Sequence, residues 1–368
     1  MTRHLVGLID GTMVSASRVT SYGSYSNVFE LACLLQLRDR SEDGGPQIVF
    51  YTSGISSQPD SSNIFNLLTG NSIKSQIIDQ YTNICSNYDF EAAAAGRPDK
   101  IYLFGFSRGA MAVRALASLI AEFGLLHPRD IRDLPVVLDA WDRSIGKGNL
   151  GSDIKVHNAT VEFVGLFDSV MGGSERLKMF NPVKFNNLQL PARCRRGVQI
   201  LAIDENRRYF QPKYWDGISK RNKDPDFEAS RILRQIWMPG VHSDVGGTGN
   251  PIWGRAAFLA MTYFIDKHTD LAIDSRAIAE KERELCESVA ARQFFIAPHR
   301  GLGTRFQRKP FGSDAEERTH PICGALEKLN FAGRDGFAWK EKVFAPRFNQ
   351  TKDDEDLEAY FAGVFQTC

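Results

Sequence analysis

The stretch IYLFGFSRG, residues 101–109, decides the fold of this chain. Residues 101–104 are a short apolar run, which is typical of a strand buried on both faces. Residues 108–123 are rich in alanine and Gly124 follows them, so a helix is predicted there. The junction spells G-x-S-x-G, and this pentapeptide between a strand and a helix is the setting of a nucleophile elbow. We therefore expect Ser107 to lie on a sharp turn above a sheet.

The residue types around Ser107 suit such a turn. A serine held in a strained backbone needs small neighbours two residues before and after it, and Gly105 and Gly109 meet that need. Backbone N–H groups at the start of the following helix point towards a developing oxyanion. We expect the N–H of Arg108 to be one oxyanion donor. A plain strand–helix turn without a catalytic role is the alternative interpretation.

Short apolar runs and helical patterns alternate on both sides of this centre. Strands are predicted at residues 4–9, 47–51, 101–104, 161–167, 198–203 and 235–238. Helices are predicted at residues 27–38, 64–88, 108–123, 251–267 and 275–292. This alternation indicates an α/β fold, here an α/β-hydrolase-like, mostly parallel, doubly wound sheet with helices on both faces. We expect a catalytic domain over residues 1–295. Residues 296–368, which show no clear strand pattern, would form an extension that packs on or caps it.

One segment interrupts the alternation. Residues 171–197 hold six basic residues and one acidic residue, and they come directly after a predicted strand. A long connection at the end of a strand is a candidate flap over a site. A solvated loop is the alternative interpretation of the same segment.

A serine nucleophile needs a base and an acid, which follow it in this type of fold in the order acid, then histidine. His242 comes just after the last predicted strand, so we expect it to be the base. His299 and His320 are rivals, and either could instead line the site. Asp168 and Asp204 each close a predicted strand. We favour Asp168 as the acid that orients the imidazole and keep Asp204 as the alternative.

The first predicted strand ends in Asp10-Gly11-Thr12. A glycine turn at this point can supply the second oxyanion N–H, from Gly11 or from Thr12. An Asx turn that only orients the loop is the other interpretation. Asp10, and Asp244 close to His242 in the sequence, are expected to line the site. The same tripeptide resembles the end of a D-x-D-G-T phosphatase motif, but Leu8 occupies the position of the nucleophilic aspartate.

Composition and motifs exclude several function classes. The net charge of +1 provides no basic field for nucleic acid. Neither a P-loop nor a dinucleotide fingerprint occurs in context, so we expect no cofactor. The six cysteines form no C-x-x-C pair, so we expect thiols and no metal site. No signal peptide or spanning segment is evident, which predicts cytoplasmic synthesis and leaves export without a cleavable signal open.

Five motifs, spread over roughly residues 5–265, together resemble one family. They are Asp10-Gly-Thr, Gly105-Phe-Ser-Arg-Gly-Ala, Phe163-Val-Gly-Leu-Phe-Asp-Ser-Val, Leu201-Ala-Ile-Asp-Glu-Asn-Arg-Arg and Pro239-Gly-Val-His-Ser-Asp-Val-Gly-Gly. The family is an uncharacterised α/β-hydrolase family, a domain of unknown function, that includes the phospholipase effectors of type VI secretion. The resemblance implies a Ser107–Asp168–His242 triad and ester hydrolysis, with phospholipids as substrates in part of the family.

Two stretches depart from the family's usual pattern. Residues 51–57 read YTSGISS instead of Y-x-x-G-V-G-T, and Thr248-Gly249 replaces a frequent Gly-Tyr. Both lie near the predicted cleft, so they bear on the preferred substrate more than on the chemistry.

The function predicted from these features is that of a serine esterase or lipase, in its narrowest version a phospholipase A. Its substrate would be a small-molecule or lipid ester, and it would contact membranes peripherally. The alternative is a catalytically silent α/β-hydrolase-like module. Such a module would bind a lipid or a protein through the basic segment at residues 171–197.

Overall fold

The structure is a computed structural model that describes residues 1–12, 14, 25–42, 44–54, 71–143, 147–151, 153–171, 189–219, 224–291, 317–323 and 352–366. Its strands are β1 (His4–Ile9), β2 (Gln47–Thr52), β3 (Lys100–Phe106), β4 (Leu125–Leu126), β5 (Val156–His157), β6 (Val161–Phe167), β7 (Cys194–Ala202), β8 (Ile232–Met238) and β9 (Glu317–Thr319). Its α-helices are α1 (Asn27–Leu34), α2 (Asn71–Asn87), α3 (Phe90–Ala94), α4 (Ser107–Phe123), α5 (Leu134–Asp142), α6 (Pro225–Ala229), α7 (His242–Val245), α8 (Pro251–His268), α9 (Ser275–Ala290) and α10 (Lys352–Gln366).

The large sheet is parallel and has the strand order β2-β1-β3-β6-β7-β8-β9. The chain passes from β1 to β2 on one side and then to β3 on the other, so the order reverses at β1. Loops that leave a sheet on either side of such a reversal diverge and open a crevice at the carboxyl edge. Ile9 pairs with Gly105, so β1 and β3 end at the same level. The loops after β1 and β3 therefore meet at this crevice.

Helices cover both faces of the sheet. In β3, Tyr102 and Phe104 belong to a core shared with α1 and α8. Ile101 and Leu103, which point the other way, belong to a core shared with α2, α4 and α5. Because both faces are buried, the strands read as continuous apolar runs and not as alternating ones. The predicted α/β class, with a doubly wound parallel sheet, is confirmed.

The predicted start of β8 was too late. We expected the strand at residues 235–238, but it begins at Ile232 and includes the buried Arg234. The guanidinium of Arg234 lies 3.5 Å from Asp353 and 3.8 Å from Asp354 of α10. Carboxylates from a helix more than 100 residues later thus allow an arginine inside the strand. The local sequence pattern around β8 contains no information about that helix.

The C-terminal extension contains a strand, contrary to our expectation. Residues Glu317–Thr319 form β9 and pair in parallel with β8. Three residues, two of them charged, are too short a signal for the apolar pattern to reveal. From α10, Leu357, Phe361 and Val364 pack into the core beside α8 and α9. In the described parts of the extension, β9 thus extends the large sheet and α10 adds to its core.

The predicted flap at residues 171–197 is too long, because its last residues belong to a strand. Residues 172–188 of this segment lie outside the described residues. Cys194 to Gly197, however, are the first residues of β7, in the middle of the sheet. Arg195 and Arg196 lie 3.0 and 3.7 Å from Glu162 of β6, which offsets their charge. They lie at the amino ends of the strands, on the opposite edge from the crevice, so they offer no binding surface beside it.

Two further expectations concern the cysteines and membrane segments. Four cysteines are free thiols, namely Cys33, Cys85, Cys194 and Cys323. Cys286 is disulfide-bonded, so the prediction of thiols alone was wrong for this residue. Within the described ranges, no helix has both the length and the apolar character needed to cross a bilayer.

Candidate active site

The carboxyl edge of the sheet gathers most of the side chains that the sequence singled out. Gly11 follows β1, Ser107 follows β3, Asp168 follows β6, Asp204 follows β7 and His242 follows β8. Because all these strands are parallel, their ends lie on one edge although up to 231 residues separate them in sequence. The parallel topology is what brings these residues together.

Ser107 lies on a strained elbow. Its φ is +58°, in the left-handed region that non-glycine residues rarely occupy. A Cβ on Gly105 would lie 2.8 Å from the backbone of Ala110, and one on Gly109 would lie 2.3 Å from the carbonyl oxygen of Ile9. The predicted need for small residues on both sides of Ser107 is confirmed. The close packing that excludes larger residues also maintains the strained turn.

Three buried side chains form a hydrogen-bonded chain. Ser107 Oγ lies 2.8 Å from His242 Nε2, and His242 Nδ1 lies 2.7 Å from Asp168 Oδ2. The exposed fractions are 6% for Ser107, 5% for His242 and 0% for Asp168. Ser107 and His242 thus retain slight exposure, while Asp168 is fully removed from water. Both distances are those of good hydrogen bonds.

The carboxylate of Asp168 is held from below by the sheet. Asp168 donates its backbone N–H to Ile200 O at 2.8 Å, and Oδ1 accepts the N–H of Ala202 at 3.1 Å. Its φ is +43°, so Asp168 and Ser107 are the two non-glycine residues with positive φ in the described part of the chain. The next strand, β7, therefore fixes one oxygen of Asp168 and leaves the other to face His242.

The other two carboxylates near His242 have different partners. Asp204 Oδ2 accepts the N–H of Gly240 at 2.8 Å, which supports the turn that precedes His242. Asp244 is fully buried and accepts the N–H groups of Val241 at 2.9 Å and Asn250 at 2.8 Å. These contacts engage Asp204 and Asp244 with the backbone of the loop that carries His242. The site brings Asp168, and not Asp204, to the imidazole.

Sequence reasoning missed Glu205. Its Oε2 accepts the backbone N–H of His242 at 3.2 Å, and its two carboxylate oxygens bind the guanidinium of Arg207 at 2.8 Å each. Glu205 is 1% exposed, so this pair anchors the start of α7 from inside. An acidic residue just beyond a strand end, with an arginine two residues later, was the available signal.

Aromatic rings pack around His242. The ring of Phe106 lies 4.7 Å from the imidazole and that of Phe210 lies 4.9 Å from it, measured between centroids. A Cβ on Gly11 would lie 2.6 Å from the Phe106 ring, and one on Gly246 would lie 2.1 Å from it. Phe106, the variable residue before the serine, thus fills the space that two glycines leave. Its bulk fixes the position of the imidazole.

Asp10 ties the loop after β1 to its surroundings. Its carboxylate accepts the N–H of Gly11 at 2.8 Å, the hydroxyl of Tyr51 at 2.8 Å and the hydroxyl of Ser26. Burial raises the pKa of the Asp10 carboxyl to about 6, although all three hydrogen bonds act in the opposite direction. The N–H of Gly11, one of the two predicted oxyanion donors of this loop, is occupied by this carboxylate. Thr12 remains as the other.

His320 follows β9 and lies in the interior of the protein. It is fully buried, its Nε2 lies 3.1 Å from Ala256 O, and its Nδ1 accepts the N–H of Ile322 at 3.0 Å. Its ring packs against Phe361 of α10. These contacts place His320 in the packing of β9 against α8 and α10, and not on the site lining that we expected. His299, its rival, lies outside the described residues.

Histidine and carboxylate side chains, which are common metal ligands, meet at this edge of the sheet. Across the described ranges, no group of three or more histidine, cysteine or acidic residues is arranged to hold an ion. His242, Asp168 and Asp244, the nearest candidates, are engaged in the contacts given above.

The sequence matches the model of a known protein family over most of its length. The model of the family described as "T6SS, Phospholipase effector Tle1-like, catalytic domain" matches residues 3–266. An uncharacterised protein of Saccharomyces cerevisiae, YEL023C, is 27% identical and covers 51% of this chain, which spans 29% of that protein.

Two solved structures are also similar. One is the Tle1 effector bound to the VgrG spike of the type 6 secretion system, with 24% identity, a TM-score of 0.37, and 68% of this chain and 52% of that one covered. The other is an uncharacterised protein of Pseudomonas aeruginosa, with 14% identity, a TM-score of 0.43, and 99% and 66% covered. The chain therefore spans less than two thirds of each of these relatives.

Proposed function

We propose that this chain, which belongs to the family of Tle1-like phospholipase effector catalytic domains, is a serine hydrolase that cleaves carboxylic esters of lipids. The hydrogen-bonded chain Ser107–His242–Asp168 at the crevice carries the proposal. This arrangement of hydroxyl, imidazole and carboxylate is recognised by its geometry and is found on unrelated folds that perform acyl transfer.

In the first half of the reaction, His242 acts as a base. The N–H of His242 Nδ1 donates a hydrogen bond to Asp168 Oδ2 and keeps its proton, so the lone pair of Nε2 can accept the proton of Ser107. As the proton moves to Nε2, Ser107 Oγ bonds to the ester carbonyl carbon and the carbonyl oxygen becomes an oxyanion. The intermediate then collapses, the bond to the alcohol breaks, and Nε2 returns the proton to the leaving alcohol.

In the second half, water replaces the alcohol. His242 Nε2 takes a proton from water, the hydroxide bonds to the acyl carbon, and the Ser107 ester bond breaks as the proton returns to Oγ. Asp168 stabilises the imidazolium in both halves because its other oxygen is held by the N–H of Ala202. Glu205 acts as a positioning residue, since it holds the backbone of His242.

The oxyanion needs donors that are fixed before the reaction. Arg108, the residue after the nucleophile and in the first turn of α4, is proposed to supply one backbone N–H. The loop after β1 is proposed to supply the second. Because the N–H of Gly11 is bound to Asp10, we propose the N–H of Thr12 as this donor.

The family description supports a lipid substrate. We propose a membrane phospholipid, with cleavage of the phospholipase A type as the narrower version, and peripheral contact with the bilayer surface. Export by type VI secretion belongs to the same proposal. We also propose that residues 1–295 carry the chemistry and that residues 296–368 complete the same unit, since β9 pairs with β8.

The test compares wild type with Ser107→Ala. Ser118→Ala is the matched control because Ser118 lies on the same helix and bonds Glu122 near the surface. Each protein is treated with a fluorophosphonate, then assayed on short p-nitrophenyl esters and on phospholipid vesicles. We expect labelling and hydrolysis in wild type and Ser118→Ala and neither in Ser107→Ala.

Equal hydrolysis by Ser107→Ala would reject Ser107 as the nucleophile. Absence of labelling and turnover in all three proteins, together with retained vesicle binding, would favour the silent binding module. The ratio of vesicle to short-ester rates separates a lipase from an esterase.

A further inference from the structure

Thr12 carries a buried hydroxyl without a partner. Its Oγ1 is shielded from solvent and makes no hydrogen bond to any described residue. Such a group costs stability, because it loses its bonds to water on folding and gains none in return. An unsatisfied donor therefore calls for an explanation, and a ligand that binds during the reaction is one.

The loop that carries Thr12 lies directly against the elbow. A Cβ on Gly11 would lie 3.1 Å from Ser107 Cβ, and one on Gly109 would lie 2.3 and 2.4 Å from the carbonyl oxygens of Ile9 and Asp10. The backbone from Ile9 to Gly11 thus touches residues on both sides of the nucleophile. Thr12 is the next residue along this backbone.

Among the described residues of this loop, Gly11 has both of its backbone polar groups engaged. The N–H of Gly11 donates to the Asp10 carboxylate, and the carbonyl of Gly11 accepts the N–H of Val14 at 3.1 Å. Within the described residues, the hydroxyl of Thr12 takes no part in this turn. Within Asp10 to Thr12, the hydroxyl of Thr12 is therefore a donor that remains for a substrate.

We propose that the hydroxyl of Thr12 is a catalytic group that donates a hydrogen bond to the oxyanion of the tetrahedral intermediate, beside its own backbone N–H. The inference rests on the proposed function, because it needs Ser107 to attack an acyl carbonyl. The hydroxyl keeps its proton throughout. Its bond to the carbonyl oxygen strengthens as negative charge develops there, and weakens as the electron pair returns to the carbonyl and the leaving group departs.

Threonine suits this role for a physical reason. A β-branched side chain has restricted rotation about χ1, so few positions are open to Oγ1 before the substrate arrives. The Asp10 carboxylate, with its bonds to Tyr51 and Ser26, anchors the preceding residues and limits movement of the loop. Both features favour a donor that needs no reorganisation during the reaction.

The test compares Thr12→Val, which keeps the shape and removes the hydroxyl, with Thr12→Ser, which keeps the hydroxyl. We measure kcat and KM on a short p-nitrophenyl ester, the rate of fluorophosphonate labelling, and the midpoint of thermal unfolding. For Thr12→Val we expect kcat to fall about 10²-fold, the usual effect of losing one oxyanion donor, with KM within about threefold of wild type. Thr12→Ser should stay within about tenfold. Because the hydroxyl bonds no described residue, the unfolding midpoint of Thr12→Val should be unchanged or higher.

Three outcomes would overturn the inference. A Thr12→Val enzyme with a kcat near that of wild type shows that the hydroxyl is not a donor. Loss of activity in Thr12→Ser equal to that in Thr12→Val, or a lowered unfolding midpoint in Thr12→Val, assigns the residue a structural role. Absence of labelling and turnover in wild type itself rejects the proposed function and this inference with it, which separates that failure from the first two.

Discussion

The packing of the elbow against β1 predicts the effect of Gly109→Ala. A Cβ at this position would lie 2.3 Å from the carbonyl oxygen of Ile9 and 2.4 Å from that of Asp10. Ordinary contacts begin at 3.4 Å, so the backbone must separate by about 1 Å (3.4 − 2.3 Å). Both oxygens belong to rigid backbone, so no side-chain rotation can relieve the contact. The end of β1 and its loop must move away from Ser107.

This displacement affects activity more than stability. A shift of about 1 Å between nucleophile and oxyanion donors costs on the order of 10²-fold in rate, so we expect kcat/KM to fall by about that factor. Overpacking in a buried contact costs about 1–3 kcal/mol, which urea unfolding would measure as a lowered free energy of unfolding. The assay is hydrolysis of p-nitrophenyl butyrate at several substrate concentrations, with unfolding followed by circular dichroism on the same samples.

The matched control is Gly363→Ala in α10. A Cβ at Gly363 meets nothing within 4 Å, and the residue is exposed. Alanine is the better helix former by roughly 0.5–1 kcal/mol, so this variant should be slightly more stable and fully active. If Gly109→Ala were as active and as stable as Gly363→Ala, the close contact between elbow and β1 would be refuted as the determinant of the site geometry.

Two further predictions concern the acid and the pH dependence of stability. Asp168 bonds His242, whereas Asp204 bonds the backbone of Gly240. We therefore expect kcat for ester hydrolysis to fall about 10³–10⁴-fold in Asp168→Asn and to stay within about tenfold of wild type in Asp204→Asn. Similar losses of kcat in both variants would contradict the choice of Asp168 as the acid. Burial lowers the pKa of His320 to about 3, below its ordinary value of 6.5. The unfolded chain therefore binds a proton at this residue that the folded chain does not, and the free energy of unfolding decreases as the pH falls below about 6.5. Urea unfolding at pH 7 and pH 5 should show wild type losing about 2 kcal/mol more than His320→Gln between these pH values, whereas parallel losses would show that His320 titrates normally.

The sequence alone determined the class of the fold and the position of the elbow. Apolar runs without alternation indicate strands covered on both faces, and glycines on both sides of Ser107 indicate a strained turn, because each signal depends on residues close together in the chain. The same local reasoning failed at β9 and at the start of β8. Three residues carry too little apolar pattern in β9, and the carboxylates that accommodate Arg234 come from α10, far along the chain.

Only the tertiary structure decided which side chains meet. Sequence order placed Asp168, Asp204 and Asp244 near the same edge, but the distances between them follow from the strand order β3-β6-β7-β8 and from the turns that end each strand. Asp168 faces His242 because β7 donates an N–H to its other oxygen, whereas Asp204 is turned towards the backbone of Gly240. Hydrogen bonds depend on tenths of an ångström and on direction, and the packing of strands distant in sequence sets both.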